Sequence, residues 1–151
     1  MTTIPFYLYI AGASAEVERA AYWIKRCKDI GIHITFDWTA EVLARKTLGI
    51  HDKDLSHDER QKYATLDRRA INKADCMWLL VPPKAVHSTG CWWELAWAQS
   101  MSLDFGVVAS GKHEDIQKCI FLEFTDRIFN EDEVAFNSIS GLCKELYGSR
   151  F

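Results

Sequence analysis

The chain has no run of like charge, no long apolar stretch, no cysteine pairing pattern and no glycine-rich phosphate loop, and each absence removes a class of protein. Lys and Arg are scattered among a slight excess of acids, for a formal charge of −3, so no surface is built to displace counterions from a nucleic-acid polymer. Nothing approaches the roughly 20 apolar residues that span a bilayer, and the opening "MTTIPFYLYIAG" lacks the basic head and the apolar length of a secretory signal. The cysteines, Cys27, Cys76, Cys91, Cys119 and Cys143, are odd in number, far apart and free of C-x-x-C or Cys/His metal spacing, which suits reduced, mostly buried thiols. A cytoplasmic protein that engages neither membrane nor nucleic acid is therefore expected. The five histidines show no metal spacing, "AGASAE" is neither a dinucleotide fingerprint nor a triphosphate loop, and no G-x-S-x-G elbow surrounds Ser88. No metal or organic cofactor is implied.

What is present is an alternation of strand and helix over 151 residues, the size of one domain, without repeats or a linker. Phe6 to Ile10 is a β-favouring run, and "AEVERAAYWIKRCKDIG" follows with helical spacing at Val17, Ala20, Ala21, Ile24 and Cys27, Ser14 as candidate cap and Gly31 as stop. "IHITFDW" reads as a second strand ending at Asp37 and Trp38, and a looser, charged segment runs from about Thr39 to Leu55. Ser56 and Glu59 form an S-x-x-E capping box that opens the next helix. "CMWLLV" is continuously apolar, as a strand buried on both faces is, and stops at Pro82 and Pro83. A helix from Ser88 or Thr89, strands near "GVVAS" and in "CIFLEF", and a helix from about Glu131 to Tyr147 complete the chain. This order predicts a flavodoxin- or Rossmann-like α/β domain, with a mostly parallel five-stranded sheet and helices on both faces. Ligands of such sheets gather at the carboxyl ends of the strands, here the loops Ala11 to Ser14, Asp37 to Thr39, Pro82 to Gly90, and the turn after Ser110.

One stretch demands a chemical explanation. "HSTGCWWELAWAQSM" carries a single carboxylate, Glu94, amid three Trp, one helical turn beyond Gly90, whose missing side chain leaves space before it. Either Glu94 lies on a solvent face while Trp92, Leu95, Ala96 and Gln99 are buried, or it lines a cleft near the positive helix terminus. Asp67, on the preceding helix, either pairs with Arg68 or Arg69 at the surface or converges on the same cleft. Two carboxylates in one pocket separate their pKa values, one ionised as nucleophile and the other protonated as acid, the usual apparatus for breaking a bond at an anomeric carbon.

The segments "FYLYIAG", "LDRRAINKADCMWLLV" and "STGCWWELAWAQSM" together resemble the nucleoside 2-deoxyribosyltransferase-like N-glycosidases, over about 110 residues. Gly90, Glu94, Leu95 and Ala98 fill that family's Gly-x-x-x-Glu-(Leu/Phe)-Gly-x-Ala motif, with Ala96 in place of its second glycine. The resemblance implies that Glu94 attacks the anomeric carbon and Asp67 helps the leaving base take a proton. It also implies that Tyr9 lies near base and sugar, and that Asp75 is a largely structural acid. Ser88, six residues before Glu94, resembles the branch that hydrolyses deoxynucleoside 5′-monophosphates, although the first loop offers a phosphate only Gly12 and Ser14. A homo-oligomer is implied as well, and the tryptophans of this helix suit either an interface or core packing.

The expected activity is cleavage or transfer of an N-glycosidic bond in a (deoxy)nucleoside or nucleoside 5′-monophosphate, with Tyr9, Trp38, Trp92 and Trp93 walling the base. Asp37 either binds a sugar hydroxyl or caps a turn. Two alternatives stand. "STGCWWEL" also resembles the Cys-x-x-Glu-Leu portion of TIR domains that cleave NAD, though no S-Y-S-x-x-D opening follows the first strand, and the pocket could bind a nucleotide without catalysis.

Overall fold

A computed structural model describes residues 5–125 and 127–148 and contains a five-stranded, all-parallel sheet in the order β2-β1-β3-β4-β5. Its strands are β1 (Tyr7–Ala11), β2 (His33–Ile34), β3 (Cys76–Leu80), β4 (Val107–Ser110) and β5 (Arg127–Phe129). The helices are α1 (Val17–Asp29), α2 (Thr39–Thr47), α3 (His57–Lys73), α4 (Thr89–Met101), the single turn α5 (His113–Ile116) and α6 (Asp132–Tyr147). The fold is flavodoxin-like α/β.

The central strands are buried because they lie between two helical layers. All five residues of β3 and all four of β4 are buried, in keeping with the unbroken apolar run of β3 and with β4 being apolar up to Ser110. On one face α1 presents Val17, Ala20, Trp23, Ile24 and Cys27 to the sheet and meets α6 through Trp23 and Phe136, whose rings lie 5.6 Å apart. On the other, α3 packs against α4, and both touch β1. The capping box at the start of α3 is formed: Glu59 N donates to Ser56 Oγ and Ser56 N to Glu59 Oε1, each at 3.1 Å.

The chain leaves β1 toward β2 on one side, then returns past β1 to β3, β4 and β5. Adjacent β1 and β3, paired from Leu8↔Cys76 to Ala11↔Leu79, therefore send their crossovers in opposite directions. Between their carboxyl ends the two following loops part, and a crevice opens.

A polar cluster fastens this edge of the sheet to the α1–α6 face. Asp132 accepts hydrogen bonds from Arg19 Nε and Nη2 at 2.8 Å each, from Ser110 Oγ at 2.7 Å and from Trp23 Nε1 at 3.1 Å. Trp78 Nε1 in turn donates to Ser110 Oγ, and Arg19 Nη1 to the carbonyl of Val81, each at 2.8 Å. Burial alone would raise the Asp132 pKa, yet the bonds from Arg19 and Ser110 hold it below the usual carboxylate range. Close approach also fixes Gly111 here, since a Cβ would lie 3.0 Å from Val81 Cβ and 3.1 Å from its carbonyl oxygen.

Several local expectations are corrected. "CIFLEF" is not a strand: it holds a 3-10 turn at Ile120–Leu122, with only Leu122 of that turn buried, and the strand paired to β4 is Arg127–Phe129. An apolar run without a period fits either state, and here its side chains face outward. The segment from Thr39 contains α2, whose apolar stripe, Val42 and Leu43, is too short to show in sequence. "IHITFDW" pairs only at His33–Ile34, because the chain then turns to carry Trp38 over the end of β1. Ser14 opens a 3-10 turn and caps nothing with its side chain.

Replacing Asp132 with Ala leaves Arg19, Trp23 and Ser110 without their shared acceptor. The expected loss is about 2–3 kcal/mol in urea denaturation, with the far-UV circular dichroism of the native state unchanged.

Candidate active site

A cavity of about 430 Å³ occupies the crevice beyond β1 and β3. The end of β1 contributes Gly12, the turn after β2 contributes Phe36 and Trp38, α2 contributes Glu41 and Arg45, α3 contributes Tyr63 and Asp67, and the start of α4 contributes Ser88, Gly90 and Glu94. Three of the four expected loops line it; the turn after Ser110 borders a separate hollow instead.

Glu94 is half-buried and opens onto this cavity, so of its two sequence readings the structure realises the cleft. A Cβ at Gly90 would meet nothing within 4 Å, which leaves the approach to Glu94 open. Asp67 lies on the cavity wall, while Arg68 stands over the Trp97 ring, 5.8 Å from its centre, instead of neutralising the acid. Tyr9 is fully buried beneath them. Its phenol and the Glu94 carboxyl are close enough to shift each other's pKa, yet no hydrogen bond of ordinary geometry engages the Tyr9 hydroxyl.

The electrostatics of this trio are those of acids taken out of water without a cation. Burial pushes Asp67 up to about 6, with the Glu41 charge adding to it. Burial and then the Asp67 charge push Glu94 up to about 8, and the Tyr9 hydroxyl partly offsets them. Burial is the larger cause for both acids, and because the charge of one makes the other harder to ionise, the pair gives up its protons in two separate steps. Burial, followed by the Glu94 and Asp67 charges, drives the Tyr9 phenol well above its ordinary value.

The other residues expected from sequence divide. Trp38 is buried on the wall and donates from Nε1 to the carbonyl of Ile10 at 2.8 Å. A Cβ at Gly12 would rest in ordinary contact with Leu80 and Trp38, so packing does not demand glycine there. Ser88 is the N-cap residue of α4, though its hydroxyl makes no capping bond, and it borders the cavity. Asp37 does not border it: its carboxylate accepts from Thr39 N and Oγ1 and pairs with Lys28, which is the turn-capping alternative. Burial opposes ionisation of Asp37, but those bonds hold its pKa low. Trp92 and Trp93 are not walls. Trp92 packs on Phe121 at 5.5 Å, and Trp93 stacks on Trp97 on the outer side of α4. Asp75 accepts from Tyr7 N at 2.9 Å and ties β1 to the start of β3.

Sequence reasoning missed Phe36, Glu41, Arg45 and Tyr63. Arg45 forms an ion pair with Glu41 and bonds Asp52 at 2.5 Å, so α2 presents a third, neutralised acid to the cavity. Tyr63 precedes Asp67 by four residues, and that helical spacing was the available signal for it. Among the described residues no group of His, Cys, Asp and Glu could hold a metal ion, and no helix is long and apolar enough to cross a membrane. All five cysteines are free, and burial pushes the Cys91 thiol beside the site up to about 11. No known protein family and no curated protein sequence matches the chain.

Because Glu94 binds its proton more tightly when folded, it reduces stability as pH rises from the unfolded value of 4.5 to about 8. Glu94→Gln should therefore raise the melting temperature by several degrees at pH 8 and leave it nearly unchanged at pH 4, as read by thermal melts across that range.

Proposed function

We propose that the protein cleaves or transfers the N-glycosidic bond of a (deoxy)nucleoside or nucleoside 5′-monophosphate, with Glu94 as nucleophile and Asp67 as acid. The observation that supports this reading is the meeting of two uncompensated carboxyls in one cavity at the β1/β3 reversal, above the buried Tyr9. A volume of about 430 Å³ suits a nucleoside, and Phe36, Trp38 and Tyr63 offer flat surfaces to its base.

In this mechanism a Glu94 oxygen attacks C1′, the bond from C1′ to the base nitrogen breaks, and the departing base takes the Asp67 proton. Water or a second base then attacks C1′ of the glycosyl ester, gives its proton to the Asp67 carboxylate and releases the Glu94 carboxylate. Proton bookkeeping is consistent with this sequence. With the two carboxyls pushed up to about 6 and about 8, the pair shares one proton between those values. Positive charge developing at C1′ favours the Glu94 anion, as does the Tyr9 hydroxyl, free to donate to it; the proton then belongs on Asp67.

A second hollow, of about 640 Å³, shares Ser14, Val42, Arg45 and Asp52 with the first and is edged by Lys46, His51 and Lys53. Its extent favours, as a second reading, a dinucleotide such as NAD, whose cationic nicotinamide ring would complement the acid pair.

Deoxynucleosides, their monophosphates and NAD, incubated separately and followed by chromatography for free base or nicotinamide, distinguish these substrates. Glu94→Ala should lower the rate by about 10³-fold or more, and full activity in that variant would remove Glu94 from the chemistry. Asp67→Asn should lower kcat by about 10²-fold with little change in KM. Calorimetric binding without product on long incubation would instead identify a non-catalytic nucleotide pocket.

The pH dependence of kcat/KM should be bell-shaped. Activity is lost below about 6, where both carboxyls are protonated and no nucleophile remains, and above about 8, where neither can supply a proton.

A further inference from the structure

Helix α3 lines the cavity with a single stripe, Arg60, Tyr63, Ala64 and Asp67, whose spacing sets all four on one side of the helix. The helical rise places Arg60 about 10 Å along the axis from Asp67. Because α3 returns the chain to the start of β3, its first turn stands out beyond the carboxyl ends of the strands, so Arg60 marks the outer end of the cavity and Asp67 the inner one. The cations here are unevenly engaged. Arg45, the other arginine on the wall, is taken up by Glu41 and Asp52. Arg60 lines the same acid-bearing wall, yet among the described residues no carboxylate pairs with it: Nη1 donates to the carbonyl of Leu55, and its other donors meet no protein group. Leu55 is itself buried, so that one bond holds the guanidinium at the rim. Past the rim, Lys53 on the adjoining hollow is likewise unpaired. The loop after β1 has no cation to offer an anion, since the single charged residue from Gly12 to Glu16 is Glu16, an acid engaged by Arg19.

We propose that Arg60 is an anion-binding residue of this site, and that the ligand is a nucleoside 5′-monophosphate whose phosphate lies at the start of α3 while its sugar lies between Glu94 and Asp67. The position of the sugar rests on the glycosidic reading above; the position of the anion does not. The cavity is polarised, with two acids at its inner end and an uncommitted guanidinium at its outer end. A nucleotide has the same polarity, with an anomeric carbon that gains positive charge as its bond breaks and, farther out, a phosphate dianion. Arginine presents its N–H groups as a planar fork that matches two phosphate oxygens, and it stays charged wherever the carboxyls titrate. Repulsion from Glu94 and Asp67 keeps the phosphate from the inner end, so the acids orient the ligand as well as act on it. Tyr63, one turn inward from Arg60, stands between the two ends.

Calorimetry in a Glu94→Gln background, which removes the proposed nucleophile, tests the subsite apart from the chemistry. Each of the four deoxynucleosides is titrated beside its 5′-monophosphate. For the base that binds best, the monophosphate should bind about 10- to 100-fold more tightly, an advantage that shrinks as salt is raised. Adding Arg60→Gln should remove most of that advantage. Arg60→Lys, which keeps the charge and loses the fork, should retain part of it, with the far-UV circular dichroism of both variants unchanged. In the otherwise wild-type chain, Arg60→Gln should lower the ratio of kcat/KM for monophosphate to that for nucleoside by the same factor. Equal binding of monophosphate and nucleoside, or an advantage that survives Arg60→Gln, overturns the proposal. Base released at equal kcat/KM from both substrates overturns it too and leaves the glycosidic reading intact. Arg60-dependent binding of the monophosphate by a chain that releases no base upholds the subsite and removes the chemistry.

Discussion

Parallel pairing of β1 with β3 is the constraint on which the remaining architecture depends. Because the crossover from β1 runs one way along the sheet and the next two, to β3 and β4, run the other way, α1 and α6 cover one face while α3 and α4 cover the opposite one. The same divergence keeps the loops after β1 and β3 from filling the space between them. The cavity is thus a topological product before it is a chemical one, and its lining is whatever the surrounding turns, α2, the first three turns of α3 and the first two turns of α4 deliver.

Two half-buried acids at the carboxyl edge of the sheet illustrate opposite solutions to one problem. Asp132 meets four donors, two of them from Arg19, and its charge is stabilised; Glu94 meets no cation, and burial keeps its proton on. The first acid clamps helices to strands. The second costs stability at neutral pH, and the apolar sheet core and the Arg19–Asp132 cluster are what allow the fold to tolerate it. An unsatisfied acid pair facing an open cavity has no structural use evident in its surroundings, which is why a chemical role is proposed for it.

Helix α4 presents two unlike faces. Its inner side carries Glu94 and buries Cys91, Leu95 and Ala98, and its outer side displays a stacked tryptophan pair among small, neutral residues.

Strand and helix identities were legible wherever local physics was unambiguous: the buried run of β3, the stripe of α1, the Ser56–Glu59 box that opens α3 and the start of α6 near Glu131. Legibility failed at short elements. Helix α2 shows only two adjacent apolar residues, and "CIFLEF" has strand composition but no partner in the sheet, because burial and pairing, not propensity, decide such runs. Within the site, Glu94 stood out as an acid among tryptophans and Asp67 only as a candidate partner for it, whereas Glu41, Arg45 and Phe36 are ordinary residues in sequence. Three-dimensional packing alone decided that Asp37 would turn away to bond Thr39 and Lys28, that Trp92 and Trp93 would leave the cavity, and that Tyr9 would lie buried beneath Glu94. The sequence by itself determined the fold class and the one acid out of place, since periodicity and capping act over a few neighbouring residues. Which groups share the cavity depends on side-chain direction across segments more than 20 residues apart, and only the assembled sheet sets that.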